Sequence, residues 1–182
     1  MSITINLEKL KYPIGKFKRP VLILENNIQQ WISTIENFPN SIKSLTQNLK
    51  TDQLNWVYRP DGWNIKQVVH HCADSHMNAF IRFKLALTED NPHIKPYNES
   101  AWAMLIDGCH YDISGSILII EGLHKKWTLL LKSLSLIDFK KKYFHPESQT
   151  SSSLEVTLAL YAWHCNHHLE HIKQALNHRN NF

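Results

Sequence analysis

The run Tyr161-Ala162-Trp163-His164-Cys165-Asn166-His167-His168-Leu169-Glu170-His171 places four imidazoles within eight residues. In an α-helix, residues i and i+4 stand one above the other, so His164 and His168 share a face, and so do His167 and His171. Either pair could occupy two coordination positions of one divalent metal. Two ligands make a weak site, so a third has to come from another part of the chain.

The elements that would position these residues can be read from apolar spacing and breakers. Ile28, Trp31, Ile32 and Ile35 recur at three- and four-residue intervals and predict a first helix from about Leu22 to Phe38. Pro39 is expected to end or kink it, since proline lacks the amide hydrogen a helix interior needs, and Ile42, Leu45 and Leu49 then continue a helical period. Arg59-Pro60-Asp61-Gly62-Trp63 reads as a turn. Asn64, followed three residues later by Gln67, forms a capping box that opens a second helix near Ile65 and lets it run to about Thr88.

Thr88-Glu89-Asp90-Asn91-Pro92 closes that helix, and the connection from about 89 to 113 is long enough to suggest a functional or packing loop. A third helix is predicted from about Ser116 to Leu134, followed by a polar connection from Asp138 to Thr150. Ser152 with Glu155 reads as a second capping box, opening a final helix from roughly Ser153 to Asn177. Residues 1–20, with two prolines and a glycine, read as an extended arm. With four long helices and no convincing strand pattern, the fold class is all-α: a four-helix bundle with an N-terminal arm and a long inter-helix connection, one domain over residues 1–182.

Bundles build metal sites from side chains that project inward from facing helices. The second helix carries His70, His71 and His76. At about 100° per residue, Gln67, Asp74, Ser75, Asn78 and Arg82 fall within about 60° of His71 and form a polar stripe. His70 turns instead toward Lys66, Met77 and Lys84, a side that reads as more solvated, so His71 is the better inward candidate. On the last helix, Thr157, Tyr161, His168 and His171 fall within about 60° of His164. His71, His164 and His168 are therefore the expected ligands of one divalent metal, with coordination positions left open for water or substrate. His76, His93, His110, His124 and His178 read as ordinary core or surface histidines. Trp31, Trp63 and Trp127 read as core, and Asp74 and Glu170 either orient imidazoles or lie at the surface. Cys72 and Cys165 each adjoin a proposed ligand, but helical neighbours diverge by about 100°, so both are expected on the apolar side.

Composition narrows the function. The chain of 182 residues is 43% hydrophobic and 20% charged, and it contains no G-x-G-x-x-G, P-loop or G-x-S-x-G motif, so common nucleotide-binding and serine-hydrolase routes have no support. The net charge of +4 is spread along the chain, with Lys140-Lys141-Lys142 as the longest basic run, and no nucleic-acid partner is expected. No apolar run would span a bilayer and the first residues lack a signal-peptide layout, so no membrane partner and a cytoplasmic location are expected. Three cysteines without a C-x-x-C fit a reducing compartment and argue against a thiolate zinc site.

Five blocks carry a resemblance: Tyr12-Pro-Ile-Gly-Lys-Phe17, Arg59-Pro-Asp-Gly-Trp63, Val68-Val-His-His-Cys-Ala-Asp-Ser-His-Met-Asn78, Arg82-Phe-Lys-Leu-Ala-Leu-Thr-Glu-Asp-Asn-Pro92, and Leu160-Tyr-Ala-Trp-His-Cys-Asn-His-His168. In this order they resemble the YfiT group of the DinB-like superfamily over nearly the whole chain. The resemblance implies a four-helix bundle, a homodimer, and one metal ion held by three histidines; neutral imidazole suits zinc, nickel, copper or iron, and zinc is the expected divalent metal with nickel as the alternative. Matched by motif, these are His71, directly before Cys-Ala-Asp, and the pair His164 and His168 after Trp163. Cys72 and Cys165 stand where members of the group tend to carry other small residues, and neither departure touches a ligand.

The same resemblance implies a metal-dependent hydrolase acting on a small molecule, with a thiol S-transferase using bacillithiol or a similar low-molecular-weight thiol as the alternative. A second alternative is a non-catalytic, stress-associated metal-binding protein. Three ligands rather than four favour catalysis over a structural metal. From their shared faces, Asp74, Asn78, Arg82 and Tyr161 are the candidates for holding an anionic substrate or thiol.

Overall fold

Four long helices, two short ones, two 3-10 turns and a short hairpin make up the computed structural model, which describes residues 6–182. The arm is not fully extended: Asn6 caps a short helix α1 (Leu7–Lys11) by accepting the Lys9 amide at 3.1 Å. A turn closed by the Gly15 amide on the Tyr12 carbonyl at 2.8 Å follows, and Gly15 there takes a φ of +81°, which favours glycine.

Helix α2 (Glu25–Thr46) continues through Pro39 without ending there. The expected break does not occur because the buried stripe continues across it, with Ile28, Ile32 and Ile35 before the proline and Phe38 and Ile42 around and after it. Burial of Phe38 and Ile42 contributes roughly 1.5–3 kcal/mol each, enough to offset the ~3 kcal/mol a helical proline costs. Helix α3 (Ile65–Thr88) begins and ends where the sequence places it. Its capping box is formed: the Gln67 amide donates to Asn64 Oδ1 at 3.0 Å and the Asn64 amide to Gln67 Oε1 at 3.2 Å.

The connection after α3 contains a single helical turn, α4 (Glu99–Trp102), and lies against α3, where Gln67 Nε2 donates to the Ala103 carbonyl at 3.1 Å. Helix α5 (Ser114–Ser133) follows. The expected polar connection is instead a hairpin of β1 (Lys142–His145) and β2 (Thr150–Ser153), paired antiparallel from Lys142 opposite Ser153 to His145 opposite Thr150. Ile94 and Phe144 extend it by donating to the Phe144 and Pro92 carbonyls at 3.1 and 2.9 Å, which ties the long connection to the hairpin.

Helix α6 (Leu154–His178) leaves β2 directly. The expected second capping box does not form, because Ser152 belongs to β2 and Glu155 instead accepts from Lys140 Nζ at 2.8 Å.

In the bundle, α2 and α3 each pack against both α5 and α6, so α2 lies diagonal to α3 and α5 diagonal to α6. Trp127, Phe38, Phe83 and Leu158 fill the centre without exposure to solvent. Cys72 and Cys165 are free thiols buried in the same core, as their positions beside the histidines suggest, and burial pushes both thiols well above their ordinary pKa. Among the described residues no helix is long and apolar enough to cross a membrane.

Candidate metal centre

The α3–α6 seam brings together side chains that are distant in sequence. One nitrogen each of His71, His164 and His168 lies within 4.8 Å of the others. His71 Nε2 and His164 Nε2 face each other at 3.2 Å, and the rings of His71 and His168 meet edge to face with centroids 4.8 Å apart. The three expected residues are therefore the ones the fold gathers.

Their electrostatics suit a cation's ligands. Burial holds His71 at about 4, with His167 adding to the effect, and burial likewise keeps His164 and His168 well below the ordinary imidazole range. At neutral pH all three rings are uncharged and offer lone pairs, which is the form that binds a metal. His168 Nδ1 is in addition buried without a hydrogen-bond partner. The donor set and this orphaned nitrogen fit a divalent metal of borderline character.

His167 and His171, the other pair of the histidine run, are used differently. The His171 ring stacks on Tyr58 with centroids 3.8 Å apart, and its Nε2–H donates to the Lys11 carbonyl at 3.1 Å. His167 stacks on Trp163 at 4.4 Å and packs beside Tyr12. Trp163 Nε1–H donates to the Gly15 carbonyl at 3.1 Å and Gln174 Nε2 to the Leu10 carbonyl at 3.0 Å, so one side of α6 holds the arm.

The seam opens into a cavity of about 650 Å³. Its lining comes from every part of the fold except α2 and α5 and includes Lys11, Tyr12, Phe17 and Arg19 of the arm, Arg59 and Trp63 before α3, Ser75 and Arg82 of α3, Glu99 of the long connection, Tyr143 and His145 of the hairpin, and Tyr161 of α6. Four cationic side chains against one carboxylate make it electropositive. Arg59 Nε and Arg82 Nε are buried without partners.

Of the four candidate substrate-holding residues, Arg82 and Tyr161 line the cavity and Asp74 and Asn78 do not. The long connection covers their side of the polar stripe. Asp74 is half-buried, and desolvation followed by repulsion from Asp107 raises its carboxyl to about 6. Asn78 Nδ2 donates to the Asp74 carbonyl on its own helix at 2.9 Å. Tyr161 Oη donates to the Ser75 carbonyl at 3.2 Å, and burial raises its pKa, so it stays protonated.

Two readings of single residues change, and one pair of core histidines proves to be linked to the site. His70 is buried, not solvated: its Nε2–H donates to the His110 carbonyl at 2.9 Å and its Nδ1 accepts from Ser116 Oγ at 2.8 Å, which pins the long connection and α5 onto α3. Trp63 belongs to the cavity wall and packs on His71 with ring centroids 4.8 Å apart. His76 and His124 are core residues as expected, yet His76 Nε2 lies 3.0 Å from His164 Nδ1 and His76 Nδ1 lies 2.7 Å from His124 Nε2.

The family model described as the DinB superfamily matches residues 34–172, a span holding all three gathered histidines. The chain belongs to the DinB superfamily. It is 44% identical over 165 residues to a Bacillus subtilis protein named "Putative metal-dependent hydrolase YfiT", covering 91% of this chain and 93% of that one. A Halalkalibacterium halodurans protein with the same designation is 46% identical over 166 residues, covering 91% and 96%. The solved structure of YfiT from Bacillus subtilis, described as "a probable metal-dependent hydrolase with an unusual four-helix bundle topology", superposes with a TM-score of 0.91 at 42% identity, covering 94% of this chain and 98% of that one. The diagonal placement of consecutive helices in this DinB-superfamily chain is in keeping with that description.

Proposed function

We propose that this protein is a metal-dependent hydrolase of a small anionic substrate, with His71, His164 and His168 as the three ligands of one zinc ion, nickel being the alternative metal. The observation that carries the reading is the convergence of three neutral imidazoles within 4.8 Å at the wall of an open cavity. A structural zinc site is normally closed by four protein ligands. Among the described residues no fourth histidine, cysteine or carboxylate joins the group.

A divalent cation in this position lowers the pKa of a water or thiol beside it and so supplies a nucleophile at neutral pH. The chain's own residues bind and orient. Arg82 and Arg59, with unpartnered Nε groups at the cavity wall, attract and hold a carboxylate or phosphate on the substrate. Trp63 packs on His71 and Tyr161 on His164, so aromatic rings of the cavity wall hold two of the three histidines. Tyr161 Oη, fixed on the Ser75 carbonyl, keeps the Ser75 segment of α3 against α6 beside His164.

The test is turnover of anionic ester and amide reporters by zinc-loaded protein, with and without added low-molecular-weight thiols. Thiol-independent hydrolysis that disappears in His164→Ala is the expected result. Turnover that requires thiol would replace hydrolysis by thiol S-transfer, and zinc uptake without turnover of any reporter would favour a binding role.

A further inference from the structure

Helix α2 leaves one acceptor without its regular donor. The Ile35 carbonyl would ordinarily receive the amide of residue 39, but that residue is Pro39, which has no N–H to give. The side chain of His124 on α5 fills the place, with Nδ1 at 2.6 Å from the Ile35 oxygen. A carbonyl oxygen can only accept, so His124 Nδ1 carries the proton.

That assignment propagates. A neutral imidazole with a proton on Nδ1 has its lone pair on Nε2, so His124 Nε2 accepts at 2.7 Å and His76 Nδ1 must be the donor. His76 Nε2 is then the acceptor at 3.0 Å, and the donor there is His164 Nδ1. The remaining nitrogen, His164 Nε2, is left with a lone pair, and it is the atom that faces His71 Nε2 at 3.2 Å. A doubly protonated ring would break the sequence, but His76 and His124 are 0% and 1% exposed and no carboxylate is hydrogen-bonded to either among the described residues. Because the chain ends on a carbonyl, which cannot take up a proton, it fixes orientation and does not conduct.

We propose that His76 and His124 are positioning residues: anchored on the carbonyl that Pro39 frees, they lock His164 in the tautomer whose Nε2 lone pair points at the seam between His71 and His168. The proposal rests on the reading of that seam as a metal site for its consequence, though not for its geometry. Histidine ligands are commonly held by a carboxylate, carbonyl or water at their second nitrogen. Here the support is two further imidazoles, and the carbonyl stands at the end of the series. Phe38 packs on both rings, with centroids 5.0 Å from His76 and 5.3 Å from His124, and Trp127 closes on them edge to face, so neither ring is free to flip.

The first measurement uses metal-free, ¹⁵N-histidine-labelled full-length protein at neutral pH, with the imidazole nitrogens read by two-bond ¹⁵N–¹H correlation. His124, His76 and His164 are expected to carry their protons on Nδ1 alone. A proton on Nε2 of any of the three overturns the proposal. The second measurement is zinc affinity by chelator competition. His124→Phe, which removes the anchor, is expected to weaken zinc binding about 10- to 100-fold, whereas His124→Gln, whose amide oxygen can still accept from His76, keeps most of the affinity. Equal losses in the two folded variants overturn the positioning role, and the tautomer spectrum of the unaltered protein decides the matter should His124→Phe fail to fold. If the unaltered protein shows the three Nδ1 protons but binds no zinc, the metal-site reading fails and the tautomer lock stands. If it binds zinc with a proton on His164 Nε2 in the metal-free state, the lock fails and the metal site stands.

Discussion

His71 Nε2 and His164 Nε2 approach to 3.2 Å across the seam between α3 and α6, although 93 positions of sequence separate them. Two neutral ring nitrogens this close share one proton at best, and a cation between the helices satisfies both at once. His71→Ala and His164→Ala are each expected to weaken zinc binding by more than about 100-fold, beyond the loss typical of a supporting residue. Calorimetric unfolding checks it independently: zinc at about 100 times its Kd should stabilise the unaltered protein by about 2.7 kcal/mol and leave both variants unmoved. A zinc-dependent rise in Tm that survives in both variants would remove these residues from the site.

The metal-free protein should lose stability in mild acid. Burial lowers His124 from 6.5 to about 4, so between these values the unfolded chain binds a proton that the folded chain refuses. Stability from this group is complete above pH 6.5, falls by about 1.4 kcal/mol per pH unit below it, and levels off near pH 4. His71, His76, His164 and His168 are shifted in the same direction by the same cause and steepen the fall. Urea unfolding at pH 7 and pH 5 measures it. Equal stability at the two pH values would contradict the neutral, buried state of these rings.

Arg82 should matter for binding more than for the chemical step. Its Nε is buried without a partner at the cavity wall, and among the described residues its guanidinium makes no ion pair, although it lies near enough to Glu99 of the same wall to oppose the rise that burial gives that carboxyl. With an anionic reporter, Arg82→Ala is expected to raise KM about tenfold with kcat little changed, and a neutral reporter should show no such rise. An equal effect on both reporters would mean that Arg82 supports the fold and does not recognise charge.

Phe83 is fully buried on α3 and meets Trp127 edge to face with ring centroids 5.5 Å apart. Phe83→Ala should cost about 3–5 kcal/mol of stability through lost burial and the cavity left behind. Denaturant midpoints at constant m-value test it, and a loss below about 1 kcal/mol would mean that the surrounding helices collapse into the space.

What could be read in the sequence follows from how local each cause is. Helix α3 could be placed to the residue because its start is a reciprocal cap between Asn64 and Gln67, three positions apart. The gathering of His71, His164 and His168 could be read because both helices repeat every 3.6 residues and the histidines keep that period. The hairpin escaped, since Thr150-Ser151-Ser152-Ser153 has none of the apolar alternation that marks a strand, and its pairing is held from outside by Pro92 and Ile94. The cavity's arginine from the Arg59 turn and its tyrosine and histidine from the hairpin depended on that tertiary closure. His76 and His124 escaped for another reason: their chain ends on a backbone oxygen, which has no letter in a sequence. Pro39, read as a helix breaker, was its one visible sign.

The division of the histidine trio between two helices also ties the candidate site to the completed fold. Helix α6 by itself supplies His164 and His168, a pair with weak grip, and a chain in which α6 has not docked holds nothing more. The third imidazole, His71, comes from α3, so the trio exists only where α3 and α6 are packed together. On the proposed metal site, tight uptake would therefore be a property of the finished bundle, and a partly folded chain would compete poorly for the ion.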